Sequence, residues 1–353
     1  MRILEINTEN GWRGGEKQTL LTVEGLRTKG HQVTLVCKKN SALHKKAIEA
    51  TIPYMLKTNI GLFFYLLFHS KKTDIIHTHT AKALTACSLS TLFHSTPVVF
   101  SRRHYKTPSS GFSKWKYNQA RSITTVSEYI KACLVNINIK SPIEVIYDAS
   151  VFVEANTSRV ENMRSKYNPD NKKILATIAA FEEEKDPHTL VEAISVLHQK
   201  RNDFIFIHFG SGKLEAEIKQ LVADKNLQAT YLFAGQTHQV EELYTLFDVF
   251  VMSSKNEGLG SSVIDAFLNK IPVVSTDAGG LKELVTGRGY VVEKENPTKL
   301  ASAIQICLAS NNTDIVNAAH TYATTALSTS RIQNQYENLF IRLTQPTVGP
   351  TQG

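Results

Sequence analysis

Ser253-Ser254-Lys255-Asn256-Glu257-Gly258-Leu259-Gly260-Ser261-Ser262-Val263-Ile264-Asp265-Ala266-Phe267 follows the apolar run Val249–Met252 and leads into a helical stretch. It reads as strand, glycine-bearing loop and helix. Gly258 and Gly260 let the backbone approach a ligand closely. The helix N-terminus behind them offers unpaired N–H groups and the positive end of a dipole, a ready seat for phosphate. Glu257 falls in the loop and Asp265 near the first helical turn. Two carboxylates at this spacing can grip hydroxyls on either side of a bound phosphate. A plainer reading stands beside this one. Ser262-Val263-Ile264-Asp265 has the form of a capping box, in which Asp265 satisfies the helix's own N–H groups. Glycine-rich turns are also common.

Outward from this segment the same alternation fills the chain. Strands are expected at Arg2–Asn7, Val33–Cys37, Ile52–Leu56, Asp74–Thr78, Pro97–Arg102, Ile123–Val126 and Ile143–Tyr147, with helical stretches between them. The second half repeats the scheme, with strands at Ile174–Ala179, Phe204–Phe209, Thr230–Phe233, Val249–Met252, Val273–Ser275 and Tyr290–Val292. Such alternation implies α/β architecture, two parallel sheets with helices on both faces. The polar stretch from Ser150 to Lys172 suggests the junction. Residues 1–155 are expected to form one domain, 156–172 a linker, and 173–328 a second domain. In open parallel sheets ligands sit beyond the C-terminal ends of the strands, so two facing sheets imply a shared cleft.

Composition narrows the function. The 353 residues carry 40 Lys/Arg against 32 Asp/Glu, a net charge of +8, and are 42% hydrophobic, enough for substantial cores. The charge is lopsided: 24 Lys/Arg against 12 Asp/Glu in residues 1–170, and 16 against 20 in the rest. An anion-attracting surface is therefore expected on the first half. The longest apolar run, Ile60 to Phe68, is too short to span a bilayer and belongs in a core or an interface. The N-terminus reads as a strand rather than a signal peptide. Cys37, Cys87, Cys133 and Cys307 lack metal or redox spacing and read as free thiols in a reducing cytoplasm.

Ile271-Pro272-Val273-Val274-Ser275-Thr276-Asp277-Ala278-Gly279-Gly280-Leu281-Lys282-Glu283-Leu284-Val285 is a further strand, glycine turn and helix. With it the chain resembles the glycosyltransferases of the GT-B fold, specifically the retaining family 4. Their donor domain carries an E-x7-E pair around a glycine-rich loop, followed by a P-V-V-x-T-x-x-G-G-x-x-E-x-V stretch. Here the pair is Glu257 and Asp265, the second glutamate being shortened to aspartate. Ala179-Ala180-Phe181-Glu182-Glu183-Glu184-Lys185-Asp186 matches the family's G-R-L-x-x-x-K-G segment. The resemblance implies that Lys185 faces the donor pyrophosphate. Ala180 stands where an arginine is usual, so one phosphate contact is missing. His208-Phe209-Gly210-Ser211-Gly212 matches the family's second glycine turn. Phe233-Ala234-Gly235-Gln236 resembles the turn that holds the nucleotide base, with His238 close behind. The resemblance thus places Gly210, Gly235, His238, Gly258, Leu259, Gly260, Ser261 and Asp265 around the donor, Glu257 against donor-sugar hydroxyls, and Asp265 against the ribose.

The first half fits as well. Asn10-Gly11-Trp12-Arg13-Gly14-Gly15-Glu16 opens a helix after the first strand, and relatives set Gly14 and Gly15 against the donor phosphates. His77-Thr78-His79 ends the fourth strand. Two histidines at i, i+2 lack a third metal ligand, which favours a structural or acceptor-site role. Ser101-Arg102-Arg103-His104 ends the fifth strand, with Arg103 where many relatives carry histidine. Arg102 and Arg103 read as anion contacts or as a solvated basic loop, and Arg103 is the candidate to replace the arginine absent at Ala180. Ser127 in Val126-Ser127-Glu128 reads equally as a helix N-cap or an acceptor ligand.

The resemblance implies transfer of a hexosyl-type sugar from a nucleotide sugar, a UDP-sugar by family frequency, to a saccharide or lipid-linked acceptor of lipopolysaccharide-core-like cell-envelope synthesis. Charge on the leaving diphosphate would be met by helix N-termini, Lys185 and the arginines. No cofactor and no metal are expected. The interleaved basic and aromatic residues of Arg102–Lys106 and Lys114–Tyr117 suggest contact with the anionic inner membrane at its cytoplasmic face or with a phosphorylated glycolipid, rather than nucleic acid; a solvated helix with Trp115 packed inward is the plainer reading. A non-catalytic two-lobed sugar- or nucleotide-binding protein and a nucleotide-sugar epimerase are the alternatives. The last helix, 329–343, is expected to cross back to the first domain, and 344–353 to form a flexible tail.

Overall fold

The computed structural model describes residues 1–168 and 170–345. The chain forms two compact units, Met1–Asp148 with Thr329 onward, and Ala149–Ser328. The first unit contains β1 (Arg2–Ile6), α1 (Gly14–Thr28), β2 (Gln32–Cys37), α2 (Ala42–Glu49), β3 (Tyr54–Leu56), α3 (Asn59–His69), β4 (Ile75–Thr78), α4 (Ala81–Ser90), β5 (Val98–Arg102), α5 (Gly111–Asn118), β6 (Ser122–Thr125), α6 (Glu128–Asn136) and β7 (Ile143–Val145). Its sheet is wholly parallel, in the order β3-β2-β1-β4-β5-β6-β7. The strands are short and β-branched, and β4 and β6 are buried at every residue, as expected of strands covered on both faces. Serine and threonine caps start α2 to α6. Ser41, Thr58, Thr80, Ser110 and Ser127 each accept a first-turn N–H. Ser127 is thus an N-cap, one of the two roles its sequence allowed. One core cluster lies between the sheet and the α3–α6 layer, with Leu62, Leu66, Leu84, Phe100, Tyr117 and Leu134 in it.

The second unit contains α7 (Thr157–Tyr167), β8 (Lys173–Ile178), α8 (Pro187–His198), β9 (Phe204–Phe209), α9 (Glu215–Asp224), β10 (Tyr231–Gly235), β11 (Val249–Met252), α10 (Ser261–Leu268), β12 (Val273–Thr276), α11 (Gly280–Val285), β13 (Tyr290–Val292), α12 (Pro297–Ala309) and α13 (Thr313–Thr325). The parallel sheet runs β10-β9-β8-β11-β12-β13. Within it, β9 is buried along its whole length. The core between sheet and helices holds Leu190, Ile194, Phe204, Phe206, Val251 and Ile304. In each unit the strand order reverses once, between β1 and β4 and between β8 and β11. The loops that diverge there leave a crevice at the strand C-termini.

One expectation fails. Residues 156–172 are no linker: 157–167 form α7, capped by Asn156, inside the second unit. Arg159 fastens it, donating to the His238 carbonyl at 2.6 Å and pairing with Glu242 at 2.6 Å. Polarity read as a linker because α7 buries no residue, and a surface helix held by polar bonds has no apolar stripe to betray it. The chain changes unit at Asp148–Ala149, earlier than 155. The last helix, α14 (Thr329–Thr344), belongs to the first unit. Tyr336, Leu339 and Phe340 are its buried face, and Lys29 pairs with Glu337 at 2.6 Å. Of the expected tail, residues 346–353 lie outside the described residues. Among the described residues no helix is long and apolar enough to cross a membrane.

Candidate active site

In the second unit the site grows from the two loops at the β8/β11 reversal. The β8 loop ends in a short 3-10 turn, Glu183–Lys185. The β11 loop hangs from it. The N–H groups of Lys255 and Asn256 donate to the Glu184 carbonyl at 2.9 and 3.2 Å, and the Ser253 hydroxyl donates to the carbonyls of Lys185 and Asp186 at 2.9 and 3.0 Å. These bonds bring two side chains 72 positions apart into an ion pair, Lys185 Nζ with Glu257 Oε2. The pair stays reachable, with the lysine side chain 28% and the glutamate 14% exposed. The Gly258 N–H holds the other carboxylate oxygen, Oε1, at 3.3 Å.

Behind the pair, the β12 turn packs onto the loop. Gly280 N–H donates to the Glu257 carbonyl at 3.0 Å. A Cβ on Gly280 would lie 2.1 Å from the Gly258 carbonyl oxygen, so only glycine permits this contact. Leu259 is 3% exposed, which makes its side chain the anchor of the loop and leaves only its backbone to a ligand. Gly260, at φ +105°, is the N-cap of α10, and Ser261 is the first helical residue. No side chain caps this end, so the capping-box reading of Ser262–Asp265 fails. Asp265 lies a full turn further in, buried at 8% exposure, and accepts a hydrogen bond from Ser150. That partner, 115 positions away, was invisible in the sequence.

The second glycine turn is close-packed too. A Cβ on Gly210 would meet the Ala179 carbonyl oxygen at 2.0 Å, locking the β9 loop against the β8 loop. His208 completes the lock. Its ring stacks on Phe181 at 3.9 Å, its Nε2 donates to the Ala179 carbonyl at 3.1 Å, and its Nδ1 accepts from Tyr231 Oη at 2.7 Å. Gly235 ends β10 with φ +68°. The His238 side chain is exposed, and its carbonyl, held by Arg159, is what the fold uses.

The first unit carries a separate polar cluster at its own β1/β4 reversal. Glu5 on β1 sits beneath His77 and His79, and all three side chains are at most 1% exposed. His77 Nδ1 lies 2.9 Å and His79 Nε2 2.6 Å from the Glu5 carboxylate. Arg103 Nη1 donates to His79 Nδ1 at 2.8 Å, and its Nε donates to Asp148 at 2.9 Å. The tautomers follow. His79 accepts at Nδ1, so its proton sits on Nε2 and points at Glu5. Ser101 Oγ, 2.7 Å from His77 Nε2, also lies 2.7 Å from Thr124 Oγ1 and 3.0 Å from Tyr336 Oη. The histidine pair thus has the carboxylate neighbour that spacing alone could not supply. Glu5, His77 and His79 are near enough to hold a metal ion. Every ring nitrogen already has a hydrogen-bond partner, however, and a guanidinium stands against His79. The cluster is built to orient Arg103.

Arg103 passes beside the start of α1, its Cδ 3.9 Å from where a Gly15 Cβ would be. Gly14 opens that helix, and Glu16 closes the turn by accepting the Arg13 N–H at 2.8 Å. The sequence paired Arg102 with Arg103 as anion contacts. The structure separates them, because Arg102 turns onto the Tyr117 ring, 6.0 Å from its centroid, and donates to the Lys106 carbonyl.

Burial fixes the charge state of these groups. It pushes His208 down to about 3; burial and the neighbouring His77 push His79 down to about 3. Burial alone would raise Glu5, but the two imidazoles outweigh it and hold the carboxyl at about 2. His79 and His208 are neutral when folded and protonate near 6.5 when unfolded. As pH falls from 6.5 towards 3 the unfolded chain therefore binds more protons, and stability drops. Each histidine contributes up to about 1.4 kcal/mol per pH unit in that window, and Glu5 adds a loss between 4.5 and 2. Melting temperature measured from pH 8 to pH 4 should stay level above 7 and fall steeply below 6. His208→Asn should flatten that slope.

Both halves of the chain match family models. Residues 158–323 match "Glycosyl transferases group 1" and residues 12–149 match "Glycosyltransferase Family 4". The 2-deoxystreptamine glucosyltransferase of Streptomyces kanamyceticus is 26% identical over 201 residues, 55% of this chain and 50% of that protein. The lipopolysaccharide core biosynthesis mannosyltransferase of Rhizobium meliloti is 31% identical over 121 residues, 33% of this chain and 34% of that protein. The matched region spans half the length of the first relative and about a third of the second. Among solved structures, the Anabaena HepE protein in complex with UDP superposes with a TM-score of 0.86 over 97% of this chain and 100% of that one, at 19% identity. With two doubly wound units, a glycine-bearing acidic loop at the second reversal and both family models in register along the chain, the protein belongs to the GT-B glycosyltransferases of the family 4, group 1 type.

Proposed function

We propose that the protein transfers a hexosyl unit, with retention at the anomeric carbon, from a nucleoside-diphosphate sugar to a hydroxyl of a saccharide or glycolipid acceptor in cell-envelope synthesis. The observation that carries this reading is the Lys185–Glu257 pair beside the uncapped N-terminus of α10. When the bond from the anomeric carbon to the diphosphate breaks, its electron pair leaves with the diphosphate. Lys185 and the α10 N–H groups offer positive charge where that anion grows. The acceptor oxygen bonds to the anomeric carbon, and its proton passes to a diphosphate oxygen. Glu257 orients donor-sugar hydroxyls, and Asp265, steadied by Ser150, takes the ribose. No metal enters this reading, since the chain's own donors and cation can meet the charge.

The UDP in the Anabaena structure supports a uridine donor, and the Rhizobium core mannosyltransferase supports an envelope acceptor. In this reading the protein works in the cytoplasm, with the first unit, the basic one, receiving the acceptor. A thermal-shift series with UDP, GDP and ADP tests the donor. A ligand at a hundred times its Kd stabilises the fold by about 2.7 kcal/mol, so UDP should raise the melting temperature by several degrees and the other two should not. No shift with any nucleotide would remove the basis for the reading.

A further inference from the structure

The apolar run Ile60–Phe68 plays no part in the site. It forms α3, and its residues divide between two faces. Leu62 and Leu66 are fully buried against the core. Ile60, Phe64 and Phe68, at spacing i, i+4, i+8, form the opposite face and are 73%, 55% and 77% exposed. The end of α3 is tied to the loop after α4, where Thr96 Oγ1 donates to the Ser70 carbonyl at 3.0 Å. That loop exposes Leu92 and Phe93 at 62% and 66%. Scattered exposed apolar residues are ordinary, but three along one helix face, with two more on the loop bonded to that helix, call for a partner.

The charge around the patch says which partner. From Lys57 to Thr73 there is no acidic residue, while Lys57 precedes α3 and the exposed Lys71 and Lys72 follow it. The loop after α4 also borders an open pocket of about 740 Å³ edged by Arg121, Lys140 and the Arg342–Glu144 ion pair, a net positive rim. Aromatic side chains framed by lysines on a helix far too short to span match the requirements of an anionic lipid surface. The phenylalanines enter the acyl boundary and the lysines meet the headgroups.

We infer that the α3 face, Ile60, Phe64 and Phe68 with Leu92 and Phe93, docks the first unit on an anionic lipid bilayer. This goes beyond the transfer reaction and holds whatever the sugar. It also relocates the contact from the basic–aromatic α5 stretch, where Lys116 is spent on the Ala81 carbonyl at 3.0 Å and Trp115 stacks on Phe112.

Flotation of the full chain with phosphatidylcholine vesicles, with and without phosphatidylglycerol, tests it without any need for turnover. The protein should float with the phosphatidylglycerol vesicles at low salt and stay behind with phosphatidylcholine alone. Phe64→Ser with Phe68→Ser should lower bound protein by about tenfold or more, as lost apolar insertion requires. Lys71→Glu with Lys72→Glu should do the same. Both variants should keep the wild-type melting temperature and UDP-induced shift, since the altered side chains are exposed. Failure of the wild type to bind anionic vesicles would overturn the inference, as would undiminished binding by the serine variant. So would a wild-type dimer in sedimentation that the serine variant converts to monomer without vesicle binding, because the patch would then be a self-contact.

Discussion

Glu257→Gln should lower turnover by about a hundred- to a thousandfold, the range for removing one pre-positioned electrostatic group, and leave the fold intact. Glutamine keeps the size and one acceptor but loses the charge that fixes Lys185. Lys185 is then free to swing into solvent, and the donor sugar loses its carboxylate. The stability cost should stay near 1 kcal/mol, because the pair is partly exposed. Lys185→Ala should give a similar loss. The double variant should be scarcely worse than either single one, since groups acting as a unit are not additive. Radiolabelled sugar transfer together with circular dichroism separates the outcomes. Near-normal turnover in Glu257→Gln would remove this pair from the chemistry.

The second large effect belongs to Glu5, and here stability is the readout. Glu5→Ala should destabilise the first unit by about 2–5 kcal/mol, because it leaves two buried ring N–H groups without an acceptor, at about 1–3 kcal/mol each. It strands the N–H of His79 and the Nδ1 of His77 in a site with no exposure. Glu5→Gln should cost far less. The glutamine oxygen can accept from His79 Nε2. Its amide can face His77 Nδ1 if that ring moves its proton to Nε2, and Ser101 Oγ, between Thr124 and Tyr336, can reverse to accept it. His79 has no such freedom while Arg103 donates to its Nδ1. Urea denaturation followed by fluorescence would show the difference as a shift in midpoint. Equal midpoints for the two variants would mean the cluster is not hydrogen-bonded as described.

Most of the fold could be read from the pattern. Among the described residues all thirteen strands overlap expected apolar runs, and Phe204–Phe209, Val249–Met252 and Tyr290–Val292 match residue for residue. Buried parallel strands are short continuous runs bounded by polar turns, a signal carried within a few residues. The misreading at 156–172 has the opposite cause: α7 is held by Arg159 and its capping asparagine, neither of which sets up a periodic stripe.

The site divides along the same line. Glu257, Gly258, Gly260 and Ser261 were legible because they are consecutive, and strand, loop and helix fix their geometry locally. Lys185 was legible through its own motif, but its pairing with Glu257 came from two loops meeting at a strand reversal. Ser150, Glu5 and Asp148 were not singled out at all. Each reaches its partner across 115, 72 or 45 positions of chain, and no local pattern marks a polar residue whose partner is chosen by folding. The sequence alone determined the element types, the glycine loops and the acidic pair, because these depend on neighbours along the chain. The tertiary structure alone decided which carboxylate takes the lysine, which histidine holds the arginine, and that half of the apolar run Ile60–Phe68 faces outward, because those outcomes depend on which surfaces the packed sheet leaves in contact.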